Sequence, residues 1–148
     1  MSAAGGRWPV MLACALLAGG CASRPRAPGV PGAAVAKVPP ITLDIQSDPY
    51  PQQAKRQKIA GRVLVEFHID KQGKAVAARV VEAQADAALQ AAALQVLSHA
   101  TFDTAASSYD ATGATAYRYG VRFCIIACGS LVPYPGYEEI VLTGDPAR

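Results

Sequence analysis

Apolar and polar residues alternate along Arg62–Ile69. Val63, Val65, Phe67 and Ile69 fall on one side, and Arg62, Leu64, Glu66 and His68 on the other. That period of two predicts a half-buried strand. The next residues, Asp70–Lys74 (DKQGK), predict a hairpin turn in which Gly73 is free to take a positive φ. A second strand follows, with Val76, Ala78 and Val80 on one face and Arg79 and Val81 on the other. After Asp86 the period lengthens. Leu89, Ala92, Ala93, Val96, Leu97 and Ala100 recur at steps of three and four, the stripe of an amphipathic helix. Asp86 is its expected N-cap, and Phe102 is placed to plug the end of the core.

Upstream, Pro51 suits a first helical position, where its missing N–H costs nothing. Gln52 to Lys58 are good helix formers, and Lys55, Arg56 and Lys58 favour the dipole at the last turn. Gly61 is expected just past the helix C-terminus. Downstream, Tyr117, Tyr119, Val121 and Phe123 alternate with Arg118, Gly120 and Arg122 in a third strand. The predicted order is α-β-β-α-β. The expected fold is α+β, a three-stranded antiparallel sheet with two helices on one face. The third strand must join an edge of the hairpin, where free backbone groups lie.

The front of the chain reads as a leader. Arg7 precedes an uncharged run from Trp8 to Gly20, shorter than the roughly 20 apolar residues of a membrane-spanning helix. It suits the core of a signal peptide, which ends in small residues, here Ala18, Gly19 and Gly20. Cys21 follows. The stretch LLAGGCAS resembles the lipobox of bacterial lipoproteins, with Ala18 where Leu is usual and Leu17 one step earlier. The resemblance implies cleavage after residue 20, lipidation of Cys21 and a membrane held through a lipid anchor. Ala22, rather than Asp, points to the outer membrane on its periplasmic side. Residues 21–43, with Pro25, Pro28, Pro31, Pro39 and Pro40, read as a Pro-rich tether. The folded domain is expected over 44–125 and a tail over 126–148.

Net charge changes the picture little. The formal value of +3 is too mild to imply a nucleic-acid partner. The chain has 2 histidines, His68 and His99, far apart in sequence, so no metal set follows from spacing. Solvation is the expected state of both. Glu66 and Glu82 can meet on one sheet face, but two carboxylates without a pocket do not make an acid–base pair. No catalytic residue, metal or cofactor is assigned, and an enzyme is not expected.

In this order the motifs resemble the C-terminal domain of the TonB family. They are Tyr50-Pro51 followed by Ala54, then Gly61, VLVEFHID and DKQGK, then Leu89 to Leu94 with Phe102, and finally YRYGVRF. Gln90 stands where the family usually has Asp, Ala100 where it has Trp, and Thr104 where Pro is common. The resemblance implies a domain that carries energy to outer-membrane transporters and holds a short transporter peptide as an added strand. Docking is then expected at the closing strand, Tyr117, Arg118, Tyr119, Gly120, Val121, Arg122 and Phe123. An edge strand offers unpaired N–H and C=O groups that an extended peptide can satisfy. The alternative is an ordinary strand whose outer edge the tail covers. Arg118 and Arg122 orient an acidic partner or form a solvated face. The partner expected is a protein or peptide, such as an outer-membrane transporter. Family members also form homodimers through exchanged strands, and nothing in the residues decides that here.

The short leader departs from the usual role, since a lipid gives a motor no protein span to pull. An envelope lipoprotein that binds a partner is the leading expectation. A true transducer with an uncut N-terminus and a structural envelope lipoprotein are the alternatives.

Cys124 and Cys128 stand on either side of the boundary between the domain and the tail. In a straight strand their Cα atoms would sit roughly 13 Å apart, whereas a disulfide needs roughly 4.4 to 6.8 Å. A disulfide, favoured in an oxidising compartment, therefore requires the chain to turn at Ile125–Ala127 and the strand to end there. Free thiols and a redox or metal pair are the other readings. EEIVLTG, near the end, is either a strand on a sheet edge or a loose terminus.

Overall fold

The alternation in Arg62–Ile69 is realised as the central strand of a mixed sheet. The structure, a computed structural model, describes residues 35–146. In chain order the elements are β1 (Ile41–Leu43), α1 (Gln52–Arg56), β2 (Gly61–Ile69), β3 (Ala75–Gln84), α2 (Ala87–Ser98), β4 (Ala100–Phe102), β5 (Tyr117–Ile125) and β6 (Glu139–Gly144). The main sheet has the order β3-β2-β5-β6, and β1 pairs with β4 in a separate two-stranded ribbon. Neighbours in the main sheet are antiparallel except β5 and β6, which run parallel. The α+β class and its two helices stand. The three-stranded antiparallel sheet does not: the tail adds a fourth, parallel strand. Among the described residues no helix is long and apolar enough to cross a membrane.

The core joins the inward residues of the strands to the apolar stripe of α2. Val63, Val65, Phe67 and Ile69 of β2 and Val121 and Phe123 of β5 are buried with Leu89, Ala93, Val96 and Leu97. Phe67 stacks on Phe102 with ring centroids 5.1 Å apart, so Phe102 does close one end of the core. At the other end Tyr50 meets Phe123 edge-on at 5.3 Å. The Asp86 side chain caps α2 by accepting from the Leu89 N–H at 2.9 Å.

Four local expectations change. Gly61 is not the cap of α1. Lys58 turns the chain at φ 54 instead, and the Ile59 N–H closes back on the Ala54 carbonyl at 2.8 Å. Gly61 is needed for space, because a Cβ there would lie 2.7 Å from the Cβ of Ala85. Val76 does not share a face with Ala78 and Val80. Ala77, at φ 53, forms a bulge, the β2–β3 register shifts between Glu66 and His68, and Val76 turns to solvent. Residues 35–43 are not all tether, since Val38 is buried and Ile41 and Leu43 pack on the core. Tether residues before Val35, and Cys21 with them, lie outside the described residues. Finally, the tail is not separate from the domain, because β6 completes the sheet.

The hairpin turn is as expected. Asp70 Oδ1 accepts from the N–H groups of Gln72 and Lys74, each at 2.9 Å. Gly73 has φ 75. It also lies so close to the Phe102 carbonyl that a Cβ would come within 2.4 Å of that oxygen. The turn therefore locks the hairpin to β4 as well as joining two strands.

Candidate functional site: the β5 edge

Backbone groups on a strand point alternately to its two neighbours. Two bonds fix the phase on β5. The Gly120 N–H donates to the Glu138 carbonyl at 2.8 Å, and the Ile126 N–H to the Gly144 carbonyl at 3.2 Å. Even-numbered residues of β5 thus face β6, and Tyr119, Val121 and Phe123 face β2. The register runs from Gly120 opposite Glu139 to Ile125 opposite Gly144. The expectation of an open edge along Gly120–Phe123 is therefore corrected: the chain's own end is already paired there. The sequence reason is the pattern of EEIVLTG. Ile140 is buried in the main core, Leu142 packs on that core, and Val141 points outward. Tyr117, Arg118 and Tyr119 lie beyond the paired stretch.

A parallel neighbour needs a crossover of a dozen or so residues, and 126–138 supply it. This crossover lies over the sheet face opposite the helices and is fastened by three arginines. Arg62 stacks over the Tyr134 ring at 4.5 Å and donates to the Val132 carbonyl at 2.6 Å. Arg122 donates to the Leu131 carbonyl at 2.7 Å and pairs with Glu139. Arg118 donates to Glu66 at 2.9 Å and to the Tyr137 hydroxyl at 3.4 Å. Arg118 and Arg122, expected to face an acidic partner or water, serve the chain's own tail. Glu66 stands opposite Arg79, not Glu82. Its carboxyl is held below the usual carboxylate range by the Arg79 hydrogen bond, against partial burial and with help from Arg118. The Nε of Arg122 is buried without a hydrogen-bond partner.

Where β5 ends, Cys124 and Cys128 are joined, with Cα atoms 4.6 Å apart. The turn that this demands falls in Ile125–Ala127. Ile126 takes φ 63, a region that costs an L residue about 1–2 kcal/mol and is least welcome to a β-branched one. Ile126 is also 76% exposed, so no packing offsets that cost.

The histidines do not meet. His68 Nδ1 lies 3.0 Å from the Gly113 carbonyl, and His99 follows α2 as its C-cap. Among the described residues no group of three or more His, Cys, Asp or Glu side chains is arranged to hold a metal ion. Sequence reasoning missed the role of Arg62 and Tyr134. The signal for it is only the aromatic PYPGY stretch, whose target across the sheet is not encoded nearby.

The sheet of this small two-layer domain takes up an extra strand at its β5 edge, in unbroken register. The family model described as Gram-negative bacterial TonB protein C-terminal matches residues 46–123, more than half of the chain, and the chain belongs to that family. No curated protein and no solved structure matches the chain. The family match stops at Phe123. The disulfide, the crossover and β6 all lie beyond it, so the strand that closes the β5 edge is outside the matched residues.

Proposed function

We propose that this chain is an envelope lipoprotein, anchored through Cys21 on the periplasmic side of the outer membrane, that takes an extended segment of a protein partner as an added strand at β5. One observation carries the reading. The β5 edge already holds a strand in full register, and that strand belongs to the sequence beyond the family domain. An edge that accepts β6 is competent to accept a peptide of similar pattern. Membership of a family of envelope transport proteins supports a transporter or its accessory as the source of that segment. In the state described here β6 holds the place.

The test is site-specific photo-crosslinking in cells, with the reactive residue at Arg118, an exposed position beside the paired stretch. The intact chain is compared with Ile140→Asp, which puts a charge where β6 is buried. A partner adduct that rises in the variant is expected. An adduct equally strong in both would place the contact elsewhere.

A second reading has its own support. Tyr134 is buried and Ile140 is only 8% exposed, so the tail is packed rather than laid loosely on the sheet. On that reading the edge is closed for good, and the protein serves an envelope assembly through its helix faces. No adduct in either protein at Arg118, with adducts from exposed positions on α2, would favour it.

A further inference from the structure

We propose that the outer edge of β6 docks a second copy of this chain, the two β6 strands pairing antiparallel about a twofold axis at Val141. No strand is exchanged. Each copy keeps its own β6 on its own β5, so the inference stands apart from the reading of β5 as an acceptor.

The free backbone groups follow from the phase of the parallel ladder. The Gly120 N–H donates to the Glu138 carbonyl, and the Ile126 N–H to the Gly144 carbonyl. With Gly120 opposite Glu139, the even-numbered residues of β6 turn both backbone groups to β5. Glu139, Val141 and Thr143 turn theirs away. β6 ends the sheet, and among the described residues no backbone hydrogen bond reaches those outward groups. The strand is also fixed in place, by the burial of Ile140 and the pairing of Glu139 with Arg122. The edge is ready-made.

The two edges of the sheet differ in how they are guarded. At the far edge, β3 shifts register against β2, bulges at Ala77 and carries Arg79 and Glu82. Bulges and charges keep foreign strands off an edge. β6 (EIVLTG) has no Lys, Arg or Pro, and its register is unbroken. Its one charge, Glu139, is already engaged, and Val141 is 45% exposed.

The residues of β6 select a copy of themselves, in one register. Outward groups must meet outward groups, so odd-numbered residues stand opposite odd-numbered ones. With Val141 opposite Val141, Glu139 meets Thr143, a carboxylate beside a hydroxyl donor. On the helix side Ile140 meets Leu142, whose flank the core leaves partly open. Slipping to the next allowed register one way sets Glu139 opposite Asp145, like charge on like. Slipping the other way sets Glu138 against the apolar Leu142. Because β3 is guarded, the pair closes on itself and stops at two copies. An edge of 6 residues falls short of the roughly 1,000 Å² of a lasting complex, so the pairing depends on concentration.

The experiment is sedimentation equilibrium of the full-length protein in detergent, from about 1 μM to about 1 mM, the range of weak association. Hydrogen–deuterium exchange is read at both ends of that range. A monomer–dimer equilibrium is expected. The amides of Glu139, Val141 and Thr143 should exchange at least about tenfold more slowly in the concentrated sample, while those of Ile140 and Leu142 stay protected in both. Val141→Lys puts like charges on the axis. Val141→Pro removes an outward N–H that β5 does not use. Both should leave monomers at every concentration, with Ile140 and Leu142 still protected to show that β6 is in place. Val76→Lys, on the guarded edge, should dimerise as the parent does. A parent that stays monomeric throughout would overturn the proposal. So would a dimer that survives both changes at Val141, since exchanged strands or another face would then hold it, and so would growth beyond two copies.

Discussion

Glu66 receives Arg79 of β3 from one side and Arg118 of β5 from the other. It is a cross-strand ladder of alternating charge. Because its pKa is lowered in the folded state, its contribution to stability is complete at neutral pH. It is lost as pH falls from the ordinary carboxylate range through the folded-state value. Glu66→Gln is expected to cost about 1 kcal/mol at pH 7, since both arginines keep much solvent. It should also flatten the acid limb of a urea-stability profile; an acid limb as steep as before would assign the loss to other carboxylates. Phe67 is wholly buried between Phe102 and Tyr117. Phe67→Ala should cost about 3–5 kcal/mol in chemical denaturation, through lost transfer energy and the void left behind. Gly73→Ala should cost about 2 kcal/mol or more, from the positive φ alone and then from the clash with the Phe102 carbonyl. A neutral outcome in the same titration would show that β4 can move away.

At the scale of elements, α2 is the best specified. Asp86→Ala removes its N-cap bond and should cost about 1 kcal/mol, a fall of about 4 °C or more in melting temperature by calorimetry. The elements written by local pattern were legible. The period of two in β2, the stripe of α2 and the Asp70 turn each lie within a few residues of what they determine. The demand that Cys124 and Cys128 make on the chain between them was legible for the same reason. The bulge at Ala77 was not, because Ala75, Val76, Ala77 and Ala78 all suit the pleat and none of them marks a break. Gly61 was misread because its constraint comes from Ala85, across the sheet. The ribbon of β1 and β4 is three residues on each side, too short to show a period. The pairing of β6 was beyond reach for a different reason. Its alternation is the same whether the edge beside it is its own or a partner's, and the choice is made by Arg62, Arg118 and Arg122 gripping the crossover from other strands.

For the whole molecule, the domain ends are what distinguish this chain. At one end the leader predicts a mature protein that begins at an acylated Cys21. Mass spectrometry of the N-terminal peptide should find that mass, and a retained Met1 would return the protein to the transducer reading. At the other end, β6 carries the sheet past the residues that the family model matches. That has a practical outcome for anyone shortening the gene. A polypeptide stopped at Phe123, the natural choice from the family match, would expose a raw rim of amides along its outermost strand. It should be prone to stick to its own copies, whereas one carried through Gly144 should stay dispersed.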